Sequence, residues 1–363
     1  MKVAVLGVGL IGGSIGLAAR ERLGAEVVGF DPSLGTLEAA VEVGALDAAA
    51  GSVDEAVAGA DAVFCAAPVN SLPGLVGAAL MASGAGTVVS DVGSTKAGLV
   101  DEVAGLEGAN RFIGGHPLAG AETAGVRNSR ADLFDGARWY LTPTATSEGV
   151  LFDRLRGLIS DLGARPQAVE TDEHDRMMAT VSHLPHVLSN ALVGRAAETL
   201  AGGERHPEVG RSFRDTTRVA GANPAIWADI FAANASRVAD EVDAVVARLQ
   251  DASKLLREAD PEQLRAYQQQ AADARRALEQ EVLEGGQLFE LRLAVENRPG
   301  VVAELALALG RAGVNIEDMS LDPSSDMRTG AISLWVAGED ETDRAIGIIR
   351  ELGHSASAVS GGS

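Results

Sequence analysis

Over residues 1–170 short β-branched runs alternate with stretches in which Ala and Leu recur at helical spacing. Val3–Leu6, Glu26–Phe30, Ala62–Ala66 and Thr87–Ser90 are apolar runs of strand length, and the pattern predicts βαβ units on a parallel sheet. From about residue 171 the strand signals stop and helix-compatible stretches follow one another. Asn223-Pro224 and Asp260-Pro261 each put a capping side chain just before a proline at the first helical position, and Gln263 completes a capping box behind Asp260. Beyond the first of these caps, Phe231, Ala235, Val238, Val242, Val245, Leu249, Ala252 and Leu256 recur at alternating steps of four and three. Such a period marks a helix-packing seam, either inside a monomeric bundle or between subunits. Glu284-Gly285-Gly286 closes the helical region as a glycine hinge. Beyond it a strand (Leu288–Val295), a helix (Val301–Arg311), two strands (the second Ala331–Val336) and a helix (Thr342–Leu352) make a small α+β module. The division expected is therefore 1–170, 171–284 and 287–358.

The chain's 363 residues fit that division, since they exceed what one hydrophobic core organises. An apolar share of 46% with 22% charged residues excludes a wholly disordered chain. With 30 basic against 51 acidic residues, and no Lys/Arg run longer than two, nucleic acid and anionic membrane are excluded as partners. The single cysteine, Cys65, rules out an intrachain disulfide framework and a multi-cysteine metal site, and suits a reducing cytosol. The N-terminus lacks the cleavage pattern of a signal peptide and no apolar run is long enough to span a bilayer, so a cytoplasmic protein is expected.

Gly7-Val8-Gly9-Leu10-Ile11-Gly12 lies between the first strand and a helical stretch at Ser14–Arg22. In that context the first glycine permits a tight turn, the second lets the backbone approach a pyrophosphate, and the third lets helix and strand pack closely. This is a Rossmann-type dinucleotide fingerprint, with Leu10 and Ile11 at the helix start. Asp31 ends the second strand 19 residues after Gly12, where a carboxylate accepts hydrogen bonds from an adenosine ribose. It would repel a 2′-phosphate, and residues 31–40 hold no Arg or Lys, so NAD is expected over NADP. Pro68, just past the Ala62–Ala66 run, is assigned to the same cofactor site.

Of six histidines, His116 stands in Gly114-Gly115-His116-Pro117-Leu118-Ala119-Gly120, where flanking glycines give an imidazole little packing purpose. Ser94 occupies the turn after the preceding strand and faces the same crevice. His183 and His186 share a helix face if the helix continues past Pro185, but no third ligand at matching spacing supports a metal. Arg214 and Arg218, in Arg214-Asp215-Thr216-Thr217-Arg218, are candidates to grip a carboxylate, with surface ion pairing as the alternative for each.

Gly114-Gly115-His116-Pro117-Leu118-Ala119-Gly120-Ala121-Glu122, Ser182-His183-Leu184-Pro185-His186 and Phe213-Arg214-Asp215-Thr216-Thr217-Arg218, in this order behind the glycine fingerprint, resemble the prephenate dehydrogenase family. Glu296-Asn297-Arg298-Pro299-Gly300-Val301 and Gly313-Val314-Asn315-Ile316 resemble an ACT domain. The resemblance covers nearly the whole chain. It implies a Rossmann domain, an all-α substrate and dimerisation domain, and a ferredoxin-like α+β ACT domain. It also implies NAD-dependent oxidative decarboxylation of prephenate to 4-hydroxyphenylpyruvate in tyrosine biosynthesis; no chorismate mutase segment is expected ahead of the dehydrogenase, since residue 2 already begins the first strand, and the 231–256 seam predicts a homodimer. On that resemblance His116 takes the proton of the substrate hydroxyl, and Ser94 orients it and lies near the nicotinamide. Arg218 binds a substrate carboxylate, with Ser182, His183, His186, Glu122, Trp227 and Arg214 shaping the pocket. Pro299, Gly300, Asn315 and Ile316 would hold an amino-acid effector, tyrosine foremost. The alternatives left open are an arogenate dehydrogenase of the same fold and a non-catalytic amino-acid-sensing protein.

Overall fold

The β-branched run at the N-terminus forms β1 (Lys2–Leu6), buried from Val3 onward because apolar layers cover both faces of its sheet. There follow α1 (Leu10–Leu23), β2 (Glu26–Phe30), α2 (Leu34–Glu42), β3 (Ala48–Ala49), α3 (Val53–Val57) and β4 (Ala62–Cys65). Next come α4 (Leu72–Ala82), β5 (Val88–Asp91), α5 (Ala97–Val103), β6 (Phe112–Pro117), β7 (Arg138–Thr142), α6 (Gly149–Asp161) and β8 (Arg165–Ala168). The computed structural model describes residues 1–120, 123–200, 210–282, 288–296, 298–316, 318–323 and 329–359. The eight strands lie in the order β3-β2-β1-β4-β5-β6-β7-β8. Period-two alternation divides β1 between the layers: Val3 and Val5 pack with Ile15, Phe64 and Trp139, whereas Ala4 and Leu6 pack with Leu72, Val76 and Leu99.

One pairing departs from the parallel sheet expected. β6 and β7 run antiparallel, with His116 opposite Tyr140. A parallel return needs a crossover helix; among the described residues between these strands there is only a single 3-10 turn, Val126–Asn128.

The helical region comprises α7 (Thr171–Met178), a five-residue π segment (Ala179–His183), α8 (Leu184–Leu200), α9 (Arg211–Thr217), α10 (Pro224–Ala233), α11 (Ala235–Glu258) and α12 (Pro261–Val282). Asn223 caps α10 by accepting the Ala225 N–H at 3.0 Å, and Asp260 caps α12 by accepting that of Glu262 at 2.9 Å. The far half of the expected capping box differs, since Gln263 Nε2 donates to the Asp260 carboxylate at 3.1 Å. Within the seam Val238 is buried, but Leu249 and Leu256 are 57% and 66% exposed.

The chain divides into two compact units, Met1–Leu249 and Gln250–Ser363. Helices α7 to α10 fall in the first, with α7 packed on α5 and β7. The second contains β9 (Leu288–Glu296), α13 (Val301–Arg311), β10 (Asp318–Pro323), β11 (Thr329–Ala337), α14 (Glu339–Glu351) and β12 (Ala356–Val359). Its sheet, β10-β11-β9-β12, is antiparallel throughout, with Leu291, Leu293, Leu305, Leu309, Leu334 and Ile349 in the core beneath. This is the ferredoxin-like α+β arrangement, with β12 added to the elements the pattern had outlined. The Gly285-Gly286 hinge lies outside the described residues.

Candidate active site

The strand order reverses between β1 and β4, the place where open α/β sheets bind ligands. Gly7 there has φ +92°, and a Cβ on it would stand 2.4 Å from the Ala66 carbonyl oxygen. A Cβ on Gly12 would meet the Gly7 carbonyl oxygen at 2.1 Å. Gly9 differs: nothing lies within 4 Å of where its Cβ would be, directly at the N-terminus of α1. Two glycines are thus required by packing and the third leaves room for an anion at a helix N-terminus, so the cradle fits a dinucleotide pyrophosphate. Leu10 and Ile11 begin the helix, half-buried, and Pro68 is exposed in the loop after β4. Asp31 accepts the Val8 N–H at 2.9 Å through one oxygen and the Ser33 N–H at 2.9 Å through the other, tying the end of β2 to the glycine loop.

His116 lies within β6 near its C-terminal end, on the ligand side of the same sheet. Its Nδ1 is 2.9 Å from Nε2 of His174 on α7, whose Nδ1 is 2.8 Å from the carboxylate of Asp175. Asp175 also accepts the backbone N–H groups of Lys96 at 2.8 Å and Ala97 at 2.9 Å. Burial above all, then the nearby His174, Lys96 and His183, hold the His116 imidazole well below its ordinary pKa. It is therefore neutral at pH 7. Burial pushes the Asp175 carboxyl up, but the hydrogen bonds from His174, Ala97 and Lys96 outweigh it and leave it below the usual carboxylate value. Tyr140 meets His174 edge to face, with ring centroids 5.7 Å apart.

A buried ion pair supports this arrangement. Lys96 Nζ bonds the Asp91 carboxylate and donates to the Gly115 carbonyl at 2.8 Å, and both side chains are 0% exposed. Asp91 accepts the N–H groups of Gly93 at 2.7 Å and Gly115 at 3.0 Å, joining the loop that carries Ser94 to the strand that carries His116. Burial lowers the Lys96 pKa, against the opposing pull of Asp91.

The second wall comes from the helices. Pro185 has no N–H to give the preceding turn, and the helix runs on through it behind the π segment, which carries Ser182 and His183. His183 is buried, and burial chiefly lowers its pKa to about 4. Its Nδ1 is 3.2 Å from Asn234 Nδ2, and its ring meets that of Trp227 edge to face at 6.0 Å. His186 stacks on Trp227 with centroids 3.3 Å apart; burial and the charge of Arg218 lower its pKa. Arg218 and Arg214 are both exposed, and Ser182 is half-buried. These contacts link His116 to His186 through His174, Asp175, Asn234, His183 and Trp227, and His186 feels the charge of Arg218. Glu122 lies outside the described residues. Ser94 is half-buried beside the site, but among the described residues its hydroxyl has no hydrogen-bond partner. The hydrogen-bond partner of His116 Nδ1 in this structure is His174. No group of three or more potential metal ligands occurs among the described residues.

Residues 15–167 match the family model described as prephenate dehydrogenase, nucleotide-binding domain, and residues 170–270 that described as prephenate dehydrogenase, dimerization domain. The prephenate dehydrogenase of Bacillus subtilis (strain 168) is 30% identical over 355 residues, 94% of each chain. This chain belongs to the prephenate dehydrogenase family. Among solved structures, prephenate dehydrogenase from A. aeolicus, in complex with hydroxyphenyl propionate and NAD+, superposes with a TM-score of 0.69 at 28% identity, covering 77% of this chain and 98% of that one. Synechocystis arogenate dehydrogenase gives 0.65 at 28% identity, covering 76% and 99%. The expectation of an NAD-dependent dehydrogenase stands.

The reading of this family's motifs from sequence missed four groups: the pair Asp91 and Lys96, the pair His174 and Asp175, Asn234, and Tyr140. His174-Asp175 sits in Thr171-Asp172-Glu173-His174-Asp175, a polar run that looks like an exposed first helical turn. Its one available signal was that a helix start so rich in acids did not need the histidine. In the second unit, a cavity of about 400 Å³ is lined by Val295, Arg298, Gly300, Val301, Ala306 and Leu321. Gly300 precedes α13 with φ +91°, and Arg298 is paired with Glu304 at 2.6 Å. Pro299 stands between these two, whereas Asn315 and Ile316 follow the far end of the helix and are not among the cavity's lining residues.

Proposed function

We propose that this chain oxidises and decarboxylates prephenate with NAD+, yielding 4-hydroxyphenylpyruvate. The observation that carries the reading is His116, a half-buried neutral imidazole at the C-terminal end of β6, on the sheet edge where the glycine cradle opens. Bound NAD+ supplies the acceptor for the hydride of substrate C4. His116 Nε2 holds the C4 hydroxyl and takes its proton as the carbonyl forms, which suits a weak base because that hydroxyl becomes strongly acidic while the C–H bond breaks. The bond from C1 to its carboxylate then breaks: CO2 leaves, the electron pair completes the aromatic ring, and the C4 oxygen, now a phenolate, takes back a proton to give the phenol. Arg218 pairs with a carboxylate of the dianionic substrate, and Trp227 with His186 offers a flat wall to the ring. Ser182, His183 and Arg214 complete the pocket. Ser94 lies near the nicotinamide, while Gly7, Gly9, Leu10, Ile11, Gly12, Asp31 and Pro68 hold the rest of the cofactor.

The functional division is the one into 1–170, 171–284 and 287–358. The exposed part of the seam, including Leu249 and Leu256, supports a homodimer built through it. The ACT-like sequence of the second unit, its fold and its cavity support binding of an amino-acid effector, tyrosine foremost, at Pro299 and Gly300 by the start of α13. The lone buried Cys65 suits a cytoplasmic enzyme. The test is NADH formation from NAD+ with prephenate and, separately, with arogenate, for the wild type and Arg218→Ala. The variant should chiefly raise the KM for prephenate. Turnover of arogenate without turnover of prephenate would overturn the substrate assignment.

A further inference from the structure

We propose that Asp175 sets the proton positions of two site histidines: through His174 it holds His116 with its proton on Nδ1 and its lone pair on Nε2, and through Asn234 it holds His183 with its proton on Nε2. Asp175, His174, Asn234 and His183 are then positioning residues for the proton transfer assigned above, and the inference rests on that reading.

The hydrogen bonds determine the directions in turn. Each Asp175 oxygen accepts a backbone N–H, from Lys96 at 2.8 Å and Ala97 at 2.9 Å, so the group is an ionised carboxylate that only accepts. The His174 Nδ1, 2.8 Å away, therefore carries a proton. A neutral imidazole protonated there has its lone pair on Nε2, and that atom lies 2.9 Å from His116 Nδ1, which must be the donor. His116 is neutral, so its Nε2 holds the lone pair a base needs. On the other branch, Asn234 Nδ2 donates to the Asp175 backbone carbonyl at 2.8 Å. The Arg237 guanidinium, which can only donate, lies 3.5 Å from Asn234 Oδ1 and orients the amide. The second Nδ2 hydrogen then goes to His183 Nδ1 at 3.2 Å, leaving the His183 proton on Nε2.

Burial makes these directions binding. His174 and Asp175 are wholly buried, and Asn234 and His183 are each 1% exposed. Reversing one bond would set two N–H groups or two lone pairs face to face where no water can relieve them. When the substrate hydroxyl gives its proton to His116 Nε2, the imidazolium keeps its Nδ1–H bond to His174. The Asp175 negative charge favours that cation from one ring away, and after CO2 departs the proton returns from Nε2 to the phenolate oxygen. The converse arrangement, a doubly protonated His174 donating to His116 Nδ1, would leave His116 with an N–H on Nε2 and no base.

Nitrogen NMR of the full-length protein labelled with ¹⁵N-histidine reads these positions directly, with His116→Gln and His183→Gln identifying the two resonance sets. At neutral pH the proton should lie on Nδ1 of His116 and on Nε2 of His183; a proton on Nε2 of His116 overturns the proposal. Kinetics with prephenate and NAD+ give the second readout. His174→Phe keeps a ring against Tyr140 but neither accepts nor donates, and should lower kcat about 10–100-fold with both KM values within about twofold of wild type. His174→Gln, whose amide can accept from His116 and donate to Asp175, should recover most of that loss. The His116 acid limb should also move down in His174→Phe, since the phenyl ring no longer accepts the Nδ1–H of the imidazolium. Equal kcat values for the Phe and Gln variants overturn the relay. If His116→Gln is inactive while His174→Phe is normal, the relay alone fails; near-normal kcat in His116→Gln instead removes His116 as the base. Should His174→Phe not fold, the NMR of the wild type still decides the matter.

Discussion

Lys96→Met tests the support beneath the site. Methionine keeps the length and apolar stem of the side chain while removing the charge that faces Asp91 and the donor to the Gly115 carbonyl. Asp91 would keep its two backbone N–H partners but lose its cation in a place where neither side chain touches solvent. Removing one member of such a buried pair costs about 3–5 kcal/mol, because an uncompensated charge remains. In a unit the size of Met1–Leu249, each kcal/mol corresponds to about 2–4 °C. The melting temperature of the transition that includes this unit should therefore fall by roughly 6–20 °C. Lys96→Met/Asp91→Asn removes both charges and should be more stable than Lys96→Met, by about 1–3 kcal/mol if the pair is coupled through direct contact. Thermal and urea unfolding of wild type, both single variants and the double variant complete the cycle. A loss below about 1 kcal/mol in Lys96→Met, or a double variant no better than that single one, would refute the account of the pair. Because Asp91 joins the Ser94 loop to β6, kcat should fall in Lys96→Met even at temperatures where the protein remains folded.

In the proposed reaction only neutral His116 accepts the substrate proton, and its pKa is held well below the ordinary value. The kcat/KM profile should therefore stay flat from neutral pH down past about 6.5 and fall only in more acid solution; an acid limb at or above 6.5 that persists in His116→Ala belongs to another group. Asp31→Ala should narrow the preference for NAD over NADP by removing repulsion of the 2′-phosphate, while also weakening NAD binding, since Asp31 accepts the Val8 N–H; a wild type that uses NADP equally well would contradict the cofactor assignment. Val242→Glu and Val245→Glu each place a carboxylate in the seam and should weaken self-association in sedimentation, whereas a wild-type monomer at micromolar concentration would make the seam internal packing.

Much of the chain was legible without coordinates because the signals were local. The strand at Lys2–Leu6, the fingerprint glycines and the caps at Asn223 and Asp260 each depend on residues a few positions apart. Short-range sterics and hydrogen bonding decide such features before any tertiary contact forms. The glycine reading extended to individual positions, since Gly7 and Gly12 are packed against backbone and Gly9 stands open. His116 was legible for a related reason, as an imidazole among glycines has few structural duties.

Only the tertiary structure decided what surrounds that imidazole. His174 is 58 residues from His116 in sequence, and Asn234 is 59 from Asp175. No periodicity links positions so far apart; they meet because β6 takes its place in the sheet order and α7 packs against α5 and β7. The antiparallel turn of β7 was equally hidden, since strand-forming residues do not encode direction and the connection between the strands had to be seen. Sequence alone determined most of the sheet strands, the helix caps and the glycine cradle, and singled out one imidazole among glycines. The fold decided which buried partners surround that imidazole, because desolvation and hydrogen-bond geometry belong to positions in space and not to positions along the chain.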